Sequence, residues 1–354
     1  LSLYLDKYKL ILFNDNYFDS LEILSDFVQE CDCIIHLAGV NRHNEASEIY
    51  NKNIELTDKL ISAIKTAGNK PYIIFSSSTQ ETQDNVYGNA KKEARLKLLN
   101  FAKENECGFT GLVIPNVFGP FGRPFYNSVI STFSHQLINN QPPEIDIDAE
   151  LNLIYVSELI KIIEELIFND SNAIEELYLV PHTWTIRVRK ILEKLTYYNE
   201  NYIKLGIIPQ LNNIFEVNLF NTFRSYIDYK KFFPVKYKVN SDERGTFIET
   251  MKLKIGGQVS FSTTKPGVTR GMHFHIRKIE RFSIIKGEAE IKIRRIGTDE
   301  IISYKLSGDE PAYVDMPIWY THNITNVGND ELLILFWINE FYNPDDADTY
   351  FQKV

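Results

Sequence analysis

The chain is 354 residues long, carries 38 Lys+Arg against 47 Asp+Glu for a formal net charge of −9, and is 44% hydrophobic and 24% charged. That length accommodates two domains with a core each, and the acidic balance without clustered Lys and Arg excludes a general nucleic-acid surface, leaving small molecules or other proteins as partners. No apolar run approaches the roughly 20 residues that cross a bilayer, so no membrane span is expected.

The opening, Leu1-Ser-Leu-Tyr-Leu-Asp-Lys-Tyr8, has neither the basic leader nor the cleavage site of a secretory signal. It reads as the middle of a helix, so the expectation is that the chain is recorded without its true beginning. Cys31, Cys33 and Cys107 form neither a disulfide framework nor a Cys-x-x-Cys pair, which fits a reducing cytosol and a cytoplasmic protein. Up to about Phe233, short β-rich runs alternate with helical stretches, the pattern of βαβ units around a parallel sheet. Strands are predicted at Lys9–Phe13, Cys33–Leu37, Tyr72–Phe75 and Thr110–Ile114, and helices at Asn53–Ala67 and 89–104. Ser76, Ser77 and Ser78 follow the Tyr72–Phe75 run, which puts their hydroxyls at the carboxyl edge of the sheet, where open α/β folds bind ligands. Tyr87 and Lys91 open the next helix, and a spacing of four sets phenol and ammonium on one face. An ammonium that close favours the phenolate, so the phenol can give or take a proton nearer neutral pH.

Together with Ile35–Gly39, Ile73–Ser78, Val86-Tyr87-Gly88, Pro115–Pro120 and Leu153–Val156 in the same order, this constellation resembles the Ser/Tyr-x3-Lys centre of the extended, sugar-nucleotide branch of the short-chain dehydrogenase/reductase family. The resemblance implies a Rossmann-like domain with Ser78, or Ser77 in reserve, Tyr87 and Lys91 as catalytic residues. It also implies a nicotinamide cofactor against Ala38, Gly39, Tyr87, Lys91 and Asn116, and a sugar nucleotide against Asn116, Tyr126 and Asn127. Arg42 reads either as a fork for sugar or cofactor phosphates or as a surface arginine. Two departures stand out. The Gly-rich phosphate turn that the family places after its first strand is missing, which removes backbone N–H groups that would cradle a pyrophosphate. Val113 stands where relatives often carry an Arg.

Pro234 ends regular structure and divides the chain into residues 1–235 and 236–354, the second strand-rich. Asp242–Gly245 reads as a turn, with Asp242, Glu243 and Arg244 as a solvated charge cluster. His273 and His275 lie two apart, so on a strand both imidazoles share one face. A turn near Ile276–Lys278 must bring Glu280 back to them, Gly287 marks the next hairpin, and His322 arrives later. The set reads as a metal site, or as strand histidines bonded to neighbours. Its spacing resembles the two motifs of the cupin family, double-stranded β-helix barrels, except that Pro317-Ile-Trp319 replaces that family's Pro-x-Gly. Imidazoles with a carboxylate suit zinc, manganese, iron or nickel, and zinc is the expectation.

A reductase fused directly to a cupin resembles the bifunctional capsular polysaccharide biosynthesis enzymes that make UDP-2-acetamido-2,6-dideoxy-L-talose on the route to UDP-N-acetyl-L-fucosamine. His36–Arg42, Tyr126–Ile130, Lys265–Thr269, Tyr320–Asn323 and Asp348–Phe351 carry that likeness. It implies C3 epimerisation of a UDP-4-keto-6-deoxy-N-acetyl sugar by the cupin domain, reduction of the C4 ketone with NADPH by the first domain, and a homodimer. Lys265, Tyr313 and Tyr320 are candidates for the proton traffic at C3, or packed and exposed strand residues. Two other readings stay open: a dehydratase or epimerase turning over with bound NAD, and a metal-binding protein whose reductase half is inactive.

Overall fold

The computed structural model describes residues 8–169, 173–243 and 245–354. The opening read as mid-helix falls largely at residues 1–7 and, like Arg244, lies outside the described residues. The chain divides into two compact units, Leu1–Phe118 with Glu150–Ile186, and Gly119–Ala149 with Arg187–Val354.

In the first unit the strands are β1 (Cys33–His36), β2 (Tyr72–Ser78), β3 (Phe109–Ile114), β4 (Asn116–Phe118), β5 (Glu150–Tyr155), β6 (Ile174–Leu179) and β7 (Trp184–Arg187). Parallel pairing in the order β1-β2-β3-β6 makes the main sheet, and β4-β5-β7 make a second, smaller one. Helices Ala46–Ala67 and Val86–Asn105 are the crossovers from β1 to β2 and from β2 to β3. Alternation along β2 sends Ile73 and Phe75 to one core with Leu60, Leu98 and Phe109, and Tyr72 and Ile74 to another with Leu112 and Ile163. Burial on both faces explains why this strand reads as an unbroken apolar run. Two expectations change. β2 continues through Ser78, so the serines belong to the strand rather than following it. Lys9–Phe13 is not a strand: it has no sheet neighbour, Leu12 is 76% exposed, and the Phe13 ring packs on Tyr17, Phe18 and Phe27 instead.

The second unit carries the helices Val129–Ile138, Val188–Tyr198 and Ile214–Arg224, then β8 (Val235–Lys236), β9 (Val239–Asp242), β10 (Gly245–Ile248), β11 (Gln258–Thr264), β12 (Thr269–Phe274), β13 (Glu280–Lys286), β14 (Glu288–Arg295), β15 (Ile301–Ser307), β16 (Ala312–Met316), β17 (Tyr320–Asn326), β18 (Leu332–Ile338) and β19 (Tyr350–Phe351). β9 and β10 form a hairpin, and the remaining strands make two antiparallel five-stranded sheets, β11-β18-β13-β16-β8 and β15-β14-β17-β12-β19. Gly287 therefore does not close a hairpin. β13 pairs with β16 and β18 while β14 pairs with β15 and β17, so the turn at Gly287 passes the chain from one sheet to the other.

Between the helical part and the sheets of this unit lies a buried polar knot. Arg281 donates from Nε and Nη2 to the Asp315 carboxylate at 2.7 and 2.9 Å, and Tyr202 donates to the same group at 2.6 Å. The Arg281 guanidinium also lies 3.8 Å from the centre of the Tyr313 ring. Such a pair gains little over apolar packing when intact, but removal of one partner strands a buried charge.

Two candidate catalytic centres

Ser78, Tyr87 and Lys91 are brought to one end of the first unit's sheet by a short turn and the helix Val86–Asn105. Ser78 ends β2, and its Oγ accepts from Gln80 N at 3.2 Å, capping the 3₁₀ turn Thr79–Thr82. Asn85 caps the helix by accepting from Gly88 N at 2.8 Å, so Tyr87 sits in the first turn, half-buried. Lys91 is one turn deeper, 3% exposed, with Nζ 4.3 Å from the centre of the Phe75 ring. Burial pulls its pKa down to about 8, with the Glu81 charge working the other way. His36, at the end of β1, is buried and pushed down to about 3, first by burial and then by the Lys91 charge, so it is a neutral neighbour.

Beyond β1, Ala38 is half-buried and Gly39 exposed. A side chain at Gly39 would come within 2.6 Å of Asn53 Oδ1 and 3.6 Å of Lys91 Nζ, so the backbone here approaches both groups closely. Asn53 is itself buried and donates to the carbonyls of Val40 and Ile49 at 2.6 Å each. The cradle of Gly39, Asn53 and Lys91 offers a backbone surface, an amide oxygen and an ammonium, a set that fits the hydroxyls of a nicotinamide riboside. Ser77, the reserve serine, is buried and donates to Glu81. Asn116 is exposed on β4 and donates to Asn152 O at 3.3 Å, and Arg42 is exposed. Tyr126 and Asn127 belong to the second unit, where Arg123 stacks on the Tyr126 ring.

In the second unit His273, His275, Glu280 and His322 each turn a ligand atom to a common point, all within 4.8 Å of one another. β12 and β17 are neighbours, which pairs His273 with His322 across the strands, past a bulge between Gly271 and His273. His275 lies just beyond β12, and Glu280 opens β13 in the facing sheet. The turn expected near Ile276–Lys278 is present and is held by Asp348, whose carboxylate accepts from the backbone N–H of Ile276, Arg277 and Lys278 at 3.2, 3.0 and 2.7 Å. His275 Nδ1 faces the Asp348 carbonyl, and His322 Nδ1 faces the Tyr320 carbonyl at 3.4 Å. A carbonyl oxygen only accepts, so each Nδ1 carries the hydrogen and each Nε2 turns a lone pair inward.

Those Nε2 atoms lie 3.1 and 3.3 Å from Glu280 Oε2, and all three atoms are buried without a hydrogen-bond donor. Buried lone pairs facing one another repel unless a proton or a cation sits between them. Burial alone would raise the Glu280 pKa, yet the His275 and His322 imidazoles hold it well below the carboxylate range; burial likewise opposes charge on His275, which the Glu280 carboxylate outweighs. His273 is pushed down to about 4 by burial, reinforced by the other two rings, so it is a neutral donor. Three imidazoles and one carboxylate, their buried atoms converging on one point, fit a divalent transition metal.

Of the residues considered for proton traffic, Lys265 is exposed. Tyr313 is buried under Arg281, and burial raises its pKa. Half-buried Tyr320 lies two residues before His322 on β17, against Tyr229 and Phe121. At the Pro317-Ile-Trp319 departure, Trp319 takes the left-handed conformation, φ 61°, with its ring stacked on Phe274. Sequence reasoning missed Asn53, Glu81, Arg95 and Asp348. Asn53 carried a signal, a polar residue opening an apolar helix face, while Asp348 was visible only as part of a family tail.

Two family models match, the NAD dependent epimerase/dehydratase family over residues 16–180 and the polysaccharide biosynthesis C-terminal domain over residues 240–350. A UDP-2-acetamido-2,6-beta-L-arabino-hexul-4-ose reductase of Pseudomonas aeruginosa is 34% identical over 92% of this chain and 87% of its own length. The spore coat polysaccharide biosynthesis protein SpsL of Bacillus subtilis is 28% identical over 32% of this chain and 82% of its own. Among solved structures, the capsular polysaccharide assembling protein CapF of Staphylococcus aureus matches with a TM-score of 0.59 at 35% identity, covering 94% of this chain and 90% of CapF.

Proposed function

This chain belongs to the family of capsular polysaccharide reductases that join an NAD dependent epimerase/dehydratase domain to a polysaccharide biosynthesis C-terminal domain, and on that premise we propose a bifunctional sugar-nucleotide enzyme. Residues 1–235 reduce the C4 ketone of a UDP-4-keto-6-deoxy-N-acetyl-hexose with NADPH, and residues 236–354 epimerise the same sugar at C3, for capsular or surface polysaccharide. The observation that carries the reading is the match over 92% of the chain to a relative named for reducing such a ketone, in a protein whose own residues hold Ser78, Tyr87 and Lys91 in one unit and the four-residue ligand set in the other.

NADPH, bound along Ala38, Gly39, Lys91 and Asn116, supplies the hydride. Tyr87 gives its phenolic proton to the oxygen at C4 as charge develops there, a task worth about 10²–10⁴-fold in rate. Lys91 keeps a positive charge beside that phenol, and the Ser78 hydroxyl orients the ketone. Arg42 and Asn116 hold the sugar nucleotide on the first unit. At the second centre the 4-ketone acidifies the C3 hydrogen, a base takes that proton and it returns on the opposite face, and zinc, held by His273, His275, Glu280 and His322, would supply positive charge beside the carbonyl oxygen.

A homodimer, with a cytoplasmic location, completes the proposal. β11 is the edge strand of its sheet and exposes Val259 and Phe261, at 54% and 71%, a ready surface for a second copy. Among the described residues no helix is long and apolar enough to cross a membrane.

The test is incubation of the full chain with the UDP-4-keto-6-deoxy-N-acetyl sugar and NADPH in D₂O. Stoichiometric NADPH consumption, deuterium at C3 and the talo product by NMR are expected. Turnover with bound NAD and no net reduction would establish the dehydratase or epimerase reading instead.

A further inference from the structure

Between the exposed residues Thr79–Gln80 and Thr82–Asp84, the Glu81 side chain turns inward and is 7% exposed, against 4% for its partner Arg95. Arg95 Nε reaches both Glu81 carboxylate oxygens at 3.0 and 3.2 Å, and Nη2 reaches Oε2 at 3.0 Å. The remaining terminal nitrogen, Nη1, donates to Glu176 Oε1 at 3.3 Å and Glu176 O at 3.4 Å, on β6. Ser77, beside the catalytic serine, donates to the same Glu81 carboxylate. One carboxylate therefore ties together β2, the 3₁₀ turn and the helix that carries Tyr87 and Lys91, and through Arg95 it reaches β6.

The surroundings are shaped for this pair. A side chain at Gly111, in the middle of β3, would stand 2.7 Å from Arg95 Cδ and 2.5 Å from Glu176 O, so the strand gives up a side chain to admit the arginine shaft. On the other side of the turn, a side chain at Gly88 would meet Gln80 O at 2.0 Å, so the helix start lies directly on the turn that Glu81 anchors. Ser78 and Tyr87 are the two ends of this clamped segment.

Resting on the reductase reading above, we infer that Glu81 and Arg95 are positioning residues: their buried pair, seated against Gly111, sets the distance between the Ser78 hydroxyl and the Tyr87 phenol. A displacement of about 1 Å between such groups costs on the order of 100-fold in rate. The test uses the full chain carrying Glu81→Gln, and separately Glu81→Leu with Arg95→Met. Glu81→Gln is expected to lower kcat for ketone reduction about 10- to 100-fold while KM for the sugar and for NADPH stay within about twofold. Backbone amides of 79–88 should exchange faster with D₂O while those of β3 stay protected. The double replacement removes both charges, so it is expected to restore the melting temperature without restoring kcat. Recovery of kcat in the double variant, or an unchanged kcat in Glu81→Gln, would show a purely structural pair and overturn the inference. If the unaltered protein reduces no 4-keto sugar, the functional reading fails by itself, and amide exchange across 79–88 still decides whether the pair holds the turn.

Discussion

The two centres are built on opposite plans. Ser78, Tyr87 and Lys91 are neighbours in sequence, placed by a strand end, a capped turn and helical periodicity, and the chemistry proposed for them depends on one buried ammonium whose pKa burial lowers to about 8. His273, His275, Glu280 and His322 come from three strands and a turn in two sheets, and the chemistry proposed for them depends on buried side-chain atoms that converge on one point. A local centre is tuned by charge, whereas a long-range centre is held by whatever orients its ligands. Damage to one should therefore leave the other measurable.

The strongest way to break that comparison is Tyr87→Phe. We expect ketone reduction to fall by about 10²–10⁴-fold, with metal content and C3 deuterium exchange unchanged; parallel loss of exchange would show that the two centres are one. Next comes Arg281→Met, which strands Asp315 in the knot of the second unit. It should cost about 3–5 kcal/mol of unfolding free energy, read by denaturant titration as loss of the second unit's transition. Asp348→Ala is smaller and sharper. Freed from its anchor, the turn carrying His275 should hold metal about 10–100-fold more weakly, measured by chelator competition, while NADPH oxidation on a substrate already epimerised at C3 is retained. The smallest effect is the response to pH. Lys91 loses its proton as pH climbs through about 8, so reduction should decline on the alkaline side, approaching tenfold per pH unit, while C3 exchange lacks that limb.

The sequence showed the parallel sheet because strands buried on both faces, such as Tyr72–Phe75, leave continuous apolar runs between helical stretches. The same rule misread Lys9–Phe13, where the Phe13 ring packs on Tyr17, Phe18 and Phe27 and no residue pairs in a sheet, something only tertiary context decides. The convergence of His273, His275, Glu280 and His322 was legible from type and spacing. The residue that orients them was not, because Asp348 meets its turn 70 to 72 positions away. Gly287 was recognisable as a turn, but a glycine between two strands does not say whether they pair with each other or leave for different sheets. Glu81 and Arg95 drew no reading of their own, since nothing in the linear pattern announces that Gly111 has cleared a space for one of them.

The Asp348 contact also imposes an order of events during synthesis. A nascent chain has all four proposed metal ligands once His322 has been made, yet the residue that fixes the His275 turn and faces its ring nitrogen is translated only after β18. The proposed cage is thus latched from behind by a later segment, and cleavage before Asp348 would remove both the carboxylate that holds the His275 turn and β19, the strand that lies beside His273.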